Sequence, residues 1–329
     1  MPVQKSGVTQ LFDLVREDML ALDRQMERSL ASDFALIKMM AAHLNQMRGK
    51  RLRPALLLLI CKAFGRTSPA AVKAAASIEL LHTATLVHDD VIDDSGLRRG
   101  LDTLNAVWGD NSSVLMGDFI FARAFTTLLD IGSQRLTPIF ARAIDRMSQG
   151  ELLQVDLRQG GAITEESYVT VIREKTASLF GAATEMGGVL CRADDTTAER
   201  FRALGEAVGV AFQLTDDLLD YQGAEDVTGK PTGGEDLRGG KLTLPIIYTQ
   251  RIAEGADRER LDMLVRDPDV DRNWPEILEF VHRYDGIGYT MQEARRYVDE
   301  ALTGLDLLPR SSSREAVAQL LEFILSREH

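Results

Sequence analysis

Cysteine is nearly missing from this chain: Cys61 and Cys191 are the only two in 329 residues. They stand far apart in apolar contexts, which excludes a disulfide framework and implies buried thiols in a reducing compartment. No cysteine or histidine cluster has the spacing of a zinc site. Positive charge is also scarce, with 38 Lys and Arg against 50 Asp and Glu and a formal net charge of -12. A nucleic-acid binder shows the opposite balance, so no nucleic-acid partner is expected and any cationic site must be local. The N-terminal stretch carries neither a long apolar core nor a cleavage signal. The longest early apolar run, Ala55 to Cys61, is too short to span a bilayer and stops at Lys62. A cytoplasmic protein that does not span a membrane is the expectation. Sustained period-2 alternation is absent as well, so strands are at most incidental.

What is present is helical periodicity from end to end. Leu11, Leu14, Val15, Met19 and Leu22 line one face of a segment from Val8 to Ser29, and Asp33 to Met47 follows. Pro54 is suited to start a third helix, where its missing N–H is harmless, running to Phe64. Ser68-Pro69 pairs an N-cap with a first-turn proline and opens a long apolar helix ending near Asp94. Asn111 to Leu129, Leu136 to Gln159, Glu165 to Cys191 and Thr196 to Tyr221 are further candidates, and Leu242 to Arg327 gives several shorter ones. No linker or charge run divides the chain, so a single all-α domain over residues 1–329 is expected.

Two acidic clusters interrupt this apolar pattern. In HTATLVHDDVIDDSGLRRG, Asp89, Asp90 and Asp93 stand at i, i+1 and i+4. Asp89 and Asp93 then lie about 40° apart on one helical face, one turn from each other. Two unit charges about 4 Å apart repel by about 4 kcal/mol at an effective dielectric near 20, so such a face calls for a counter-charge. Asp94 adds a further negative charge, and Arg98 and Arg99 follow. The spacing returns in QLTDDLLD, with Asp216, Asp217 and Asp220, and Gln213 three residues earlier. A solvated acidic face explains one such cluster. Two copies in apolar helices, each followed by basic residues, point to a hard metal ion on oxygen ligands, for which Mg²⁺ between carboxylates and phosphates is the usual case. The two clusters are expected to face each other across a cavity.

The cations sort into two groups. Gly49-Lys50-Arg51-Leu52-Arg53-Pro54 sets three cations at a helix start, where they oppose the macrodipole and call for an anion; a solvated turn is the alternative. His82 lies two turns before Asp89 on nearly the same face, a structural histidine or a phosphate donor. Lys50, Arg53, His82 and Arg99 form one group; Arg98, Lys175, Lys230 and Lys241, beside the aspartates, form the other. Two anion sites imply two diphosphate substrates. Lys230 belongs to a glycine-rich stretch, Gln222 to Gly240, that reads as a plain connector or as a lid over phosphate.

These residues closely resemble the trans-isoprenyl diphosphate synthase family. GKRLRP, HTATLVHDDVIDDSGLRRG, Lys175-Thr176, FQLTDDLLD and GGKLTLP match its signature blocks in order, over roughly Gly49 to Pro245. The ELLHTATLVHDDV form is most like the long-chain synthases that make quinone side-chain precursors. The resemblance implies an all-α bundle around a central catalytic cavity, and Mg²⁺ as cofactor, up to three ions per site. Asp89, Asp90 and Asp93 would hold Mg²⁺ on the allylic diphosphate, with Asp216, Asp217 and Asp220 holding a further ion. Arg98, Lys175, Thr176, Gln213, Lys230 and Lys241 would bind the allylic diphosphate, and Lys50, Arg53, His82 and Arg99 isopentenyl diphosphate. Asp89, Asp90, Asp93, Arg98, Lys175, Asp216 and Asp217 would carry the catalysis.

Given the resemblance, the small side chains at Ala84 and Thr85, one turn before Asp89, imply a hydrocarbon tunnel left open for a long product. Good helix propensity alone also explains an alanine there. A homodimer is implied, with peripheral membrane contact as a route for releasing product. Rival readings are a shorter-chain synthase, a terpene cyclase, which needs no second diphosphate pocket, and a non-catalytic partner subunit. A di-iron bundle would need Glu-x-x-His on facing helices, which the chain lacks near its acidic clusters.

Overall fold

The computed structural model describes residues 13–47, 49–160, 163–221 and 233–326. In chain order the helices are α1 Arg16–Ser29, α2 Ala35–Leu44, α3 Leu52–Ala63, α4 Pro69–Ile92, α5 Leu104–Trp108, α6 Asp110–Leu129, α7 Leu136–Arg158, α8 Glu165–Ile172, α9 Ser178–Leu190 and α10 Asp195–Leu219. They continue with α11 Glu235–Arg238, α12 Leu244–Ile252, α13 Gly255–Arg266, α14 Val270–Arg283, α15 Gly286–Thr303 and α16 Ser312–Leu325. Among the described residues the only sheet is a two-stranded antiparallel ribbon, β1 Leu97–Arg98 with β2 Leu101–Asp102. The chain divides into two compact units of three stretches each. The first takes residues 1–143, 181–202 and 305–319, and the second takes 144–180, 203–304 and 320–329.

In the first unit α4 packs on α1, α3 and α6. Ser68 opens α4 as expected: its hydroxyl accepts from the Ala71 N–H at 3.2 Å and Pro69 takes the first turn. Helix α3 is apolar on every side, and Leu56, Leu57, Leu58, Leu59 and Ile60 are all fully buried, as an all-round hydrophobic helix requires. It starts at Leu52 rather than Pro54, from Arg51 in a left-handed conformation (φ 52°). Pro54 still falls in the first turn, where no N–H is needed. Gly117 of α6 lies flat against the His88 ring of α4; a Cβ there would sit 2.2 Å from Nε2. By length and composition, α4 and α6 could each cross a membrane, although no early run was expected to. For α4, 61% of the apolar window is buried inside the protein, so core packing accounts for its composition.

The second unit is built around Tyr221, Ile246, Leu261, Trp274, Ile277, Phe280 and Val281, with α12 against α8, α14 and α15. The helix expected from Glu165 to Cys191 is instead α8 and α9 joined by a π-helical turn, Arg173–Ala177. That turn carries Lys175 and Thr176. Two glycines from neighbouring helices make room for it: a Cβ on Gly150 would meet the Lys175 backbone N at 2.5 Å, and one on Gly209 the Ala177 Cα at 2.5 Å.

Candidate active site

Both acidic clusters end their helices. Asp89 and Asp90 lie in the last turn of α4 and Asp93 caps it. Asp216 and Asp217 lie in the last turn of α10, with Asp220 just beyond. Helix C-termini carry unsatisfied carbonyls and partial negative charge. Carboxylates gathered there are doubly unfavourable without a cation.

In the first unit, Asp90 is turned inward and buried. Arg98 grips it: Nε donates to Oδ1 at 2.8 Å and to Oδ2 at 3.1 Å, and Nη2 lies 2.7 Å from Oδ1. Arg98 comes from β1, and Arg99 and Gly100 form a two-residue turn with φ 54° and 75°, the geometry of a tight hairpin. Thr103 and Asn105 pin the hairpin by donating to the Ser95 carbonyl at 2.6 and 3.0 Å. Adjacent arginines therefore part ways. Arg99 lies across Gly49, where a Cβ would meet its guanidinium at 2.7 Å, and donates to the Met47 carbonyl at 2.5 Å.

Arg53, His82, Arg98 and Arg99 are close enough to act on one another electrostatically. Burial, and then the fields of Arg53, Arg98 and Arg99, hold the His82 imidazole well below the usual histidine range, so it is neutral. Beneath the arginines lies Glu79, 7% exposed. Burial raises its carboxyl, while Arg53, Arg51 and Arg99 pull it back down. Arg51 is ion-paired to Asp23, so it braces the head of α3. Lys50 is exposed one residue earlier. Ala84 is fully buried, and the Thr85 hydroxyl donates to the His82 carbonyl at 2.9 Å.

In the second unit a cavity of about 140 Å³ is lined by Lys175, Thr176, Gln213, Asp217 and Lys241, all expected at the site, and by Gln154, Arg158, Tyr168 and Asp236. Lys175 is ion-paired to Glu151. Asp216 is exposed, whereas Asp217 is buried. The Tyr168 hydroxyl donates to Asp217 Oδ2 at 2.5 Å and Gln213 Nε2 to Oδ1 at 2.7 Å. The Thr176 hydroxyl donates to Gln213 Oε1 at 3.0 Å. Burial and the neighbouring Asp236 push the Asp217 carboxyl up to about 8, and burial with Asp220 pushes Asp236 up to about 6. Asp220 accepts from the Glu235 and Asp236 N–H groups at 2.9 and 3.2 Å. Gly233 and Gly234 allow this return of the chain; at φ 125° a Cβ on Gly233 would strike the Asp220 carbonyl. Lys230 lies outside the described residues.

Asp90 and Asp217 are the buried aspartates of their clusters, each with both carboxylate oxygens bound by side-chain donors. The cause is rotation: successive residues of a helix are about 100° apart, so the middle aspartate of each motif faces inward. Glu79, Tyr168 and Asp236 were missed from the sequence. Glu79 had a signal, being the only acidic or basic residue other than histidine between Lys73 and Asp89. Tyr168, in TEESYVTV, had none. Among the described residues no three His, Cys, Asp or Glu side chains converge as a ready-made metal cage. Mg²⁺ needs none, since one or two carboxylates and substrate phosphates suffice. Oxygen donors gathered at helix C-termini fit such an ion.

Comparison with known proteins agrees with this geometry. The polyprenyl synthetase family model matches residues 34–281. Octaprenyl diphosphate synthase of Escherichia coli K12 is 35% identical, over 96% of this chain and 98% of that protein. The crystal structure of a decaprenyl diphosphate synthase from Rhodobacter capsulatus superposes with a TM-score of 0.90 at 37% identity, covering 98% of this chain and all of that one. A polyprenyl synthase from Caulobacter crescentus, solved with calcium and isoprenyl diphosphate, gives 0.87 at 36% identity, over 98% of each chain. With matches of this extent, and with both aspartate motifs in place at the ends of their helices, the chain belongs to the polyprenyl synthetase family.

Proposed function

We propose that this protein is a trans-polyprenyl diphosphate synthase that adds isopentenyl diphosphate head-to-tail (1'-4) to an allylic diphosphate, giving a product of about eight to ten isoprene units for a quinone side chain. Relatives making octaprenyl and decaprenyl diphosphates support that length. The observation that carries the reading is the duplicated arrangement: two helices ending in the same aspartate motif, each beside its own set of cations. The two clusters act on one allylic diphosphate, in one catalytic domain of a cytoplasmic homodimer. Exposed Phe34, Leu36, Met39 and Leu115 in the first part of the chain support the dimer.

Asp89 and Asp93 would hold Mg²⁺, as would Asp216 and Asp220, up to three ions in all. Bound there, Mg²⁺ supplies positive charge against the departing diphosphate. Asp90 fixes Arg98, and Arg98, Lys175, Lys230 and Lys241 bind that diphosphate, stabilising the charge it gains as the allylic C–O bond breaks. Thr176 and Gln213 line the allylic pocket. Lys50, Arg53, His82 and Arg99 hold isopentenyl diphosphate so that its double bond reaches the allylic carbon; the new C–C bond forms and a proton leaves to the released diphosphate. Ala84 and Thr85 leave the tunnel open. Purified protein incubated with isopentenyl and farnesyl diphosphates should yield long prenyl diphosphates only with Mg²⁺, resolved by chromatography. Diphosphate release from the allylic substrate alone would favour a terpene cyclase, against which the Arg53, His82 and Arg99 group argues.

A further inference from the structure

A buried tyrosine hydroxyl needs a partner, and that of Tyr168, 6% exposed, has one that leads into the reaction cavity. Its O–H donates to Asp217, whose other oxygen accepts from Gln213, whose amide oxygen accepts from Thr176. All four line the same cavity. The order of donors is directional. Asp217 accepts from both Tyr168 and Gln213, so the Gln213 amide N–H is turned toward it and the amide oxygen toward Thr176. Thr176 then spends its single proton on Gln213 and presents lone pairs elsewhere. A diphosphate, itself an acceptor, gains nothing from such lone pairs; a carbon gaining positive charge does.

We propose that Tyr168 is a positioning residue: by fixing Asp217 as the common acceptor, it orients Gln213 and Thr176 so that the Thr176 oxygen faces the allylic carbon as its bond to diphosphate breaks. The proposal rests on the prenyl-transfer reading above. It accounts for two features together: the inward, doubly hydrogen-bonded Asp217, and the π turn that swings Thr176 out of the regular helical path beside Gln213.

The test is Tyr168→Phe, read by the single-turnover rate of the first condensation, so that product release does not mask the step. Binding of an allylic thiolodiphosphate, which resists ionisation, is measured by calorimetry alongside. Loss of a supporting contact of this kind costs roughly 10- to 100-fold in rate. That loss is expected with the affinity for the thiolodiphosphate and the KM for isopentenyl diphosphate each changed less than about two-fold, as for an interaction made only in the transition state. Combined with Thr176→Val, Tyr168→Phe should add little, because both act through one relay. Wild-type rate in Tyr168→Phe, or independent, multiplying losses in the double variant, would overturn the proposal. So would affinity for both diphosphates falling together with the melting temperature. Absence of condensation by the wild-type chain would instead defeat the prenyl-transfer reading itself.

Discussion

Asp90 and Asp217 are counterparts in two different helices. Each is the second aspartate of its motif, each is almost fully buried, and each has both oxygens bound by protein donors, Arg98 in one case and Tyr168 with Gln213 in the other. The outer aspartates of each motif are more exposed. Each motif of three carboxylates thus holds one inward group that fixes a neighbouring side chain.

That division predicts different losses within one motif. Asp89→Ala should cost about 10²–10³ in turnover, the scale of losing one preorganised electrostatic contact, and should raise the Mg²⁺ concentration needed for half-maximal rate. Asp90→Asn should leave that Mg²⁺ midpoint nearly unchanged and instead raise the KM for the allylic diphosphate, because Arg98 loses its anchor. Titrating both variants with Mg²⁺ checks this; equal shifts in midpoint would cancel the distinction.

The raised carboxyls of Asp217 and Asp236 fix a pH dependence. Native Asp217 keeps its proton up to about 8, whereas an unfolded aspartate loses it near the usual 3.9. Between these values the native state binds more protons, so stability falls as pH rises. Metal-free protein should therefore melt at progressively lower temperature from mildly acidic pH toward pH 8, with Asp236 contributing up to about 6. Mg²⁺ should release protons on binding and raise the melting temperature most at the alkaline end. Calorimetric melts with chelator and with Mg²⁺ across this range measure both effects.

Glu79 balances the arginines above it. Glu79→Gln removes a buried carboxyl that lies in the field of Arg53, Arg51 and Arg99, and should lower the melting temperature. Added inorganic diphosphate should then raise the melting temperature of Glu79→Gln more than that of wild type, because an anion replaces the lost charge. Equal rises would show that Glu79 does not serve that cluster.

Ala84 has no exposed surface, so a larger side chain must displace its surroundings. With the tunnel placed beside it, Ala84→Tyr should shorten the product sharply while the first condensation proceeds. Unchanged product length on chromatography would move the tunnel elsewhere.

Much of this was legible in the chain because helices write their periodicity locally. Ser68-Pro69 announced α4, and the helices expected to end near Asp94 and at Tyr221 carry their aspartate motifs in their last turns. Pairing across long separations was not legible. Nothing local to Tyr168 tells of Asp217, 49 residues on, and Arg99-Gly100 lacks the Asn-Gly or Asp-Gly signature of a tight hairpin. The π turn escaped for a related reason: Arg173 to Ala177 keeps good helix formers, and it is Gly150 and Gly209, on other helices, that admit it. Glu79 was readable as a lone charge in an apolar run, but its three arginines come from α3 and from the hairpin.

A π turn is an α-helix that has taken in one residue too many. Excising a single amino acid from Arg173–Ala177 would let α8 and α9 fuse into one regular rod, with every hydrogen bond restored and the bundle intact. The same excision would wind Lys175 and Thr176 about 100° around the axis, away from Gln213. One codon therefore separates two settings of the same pair of side chains, with the helical frame common to both.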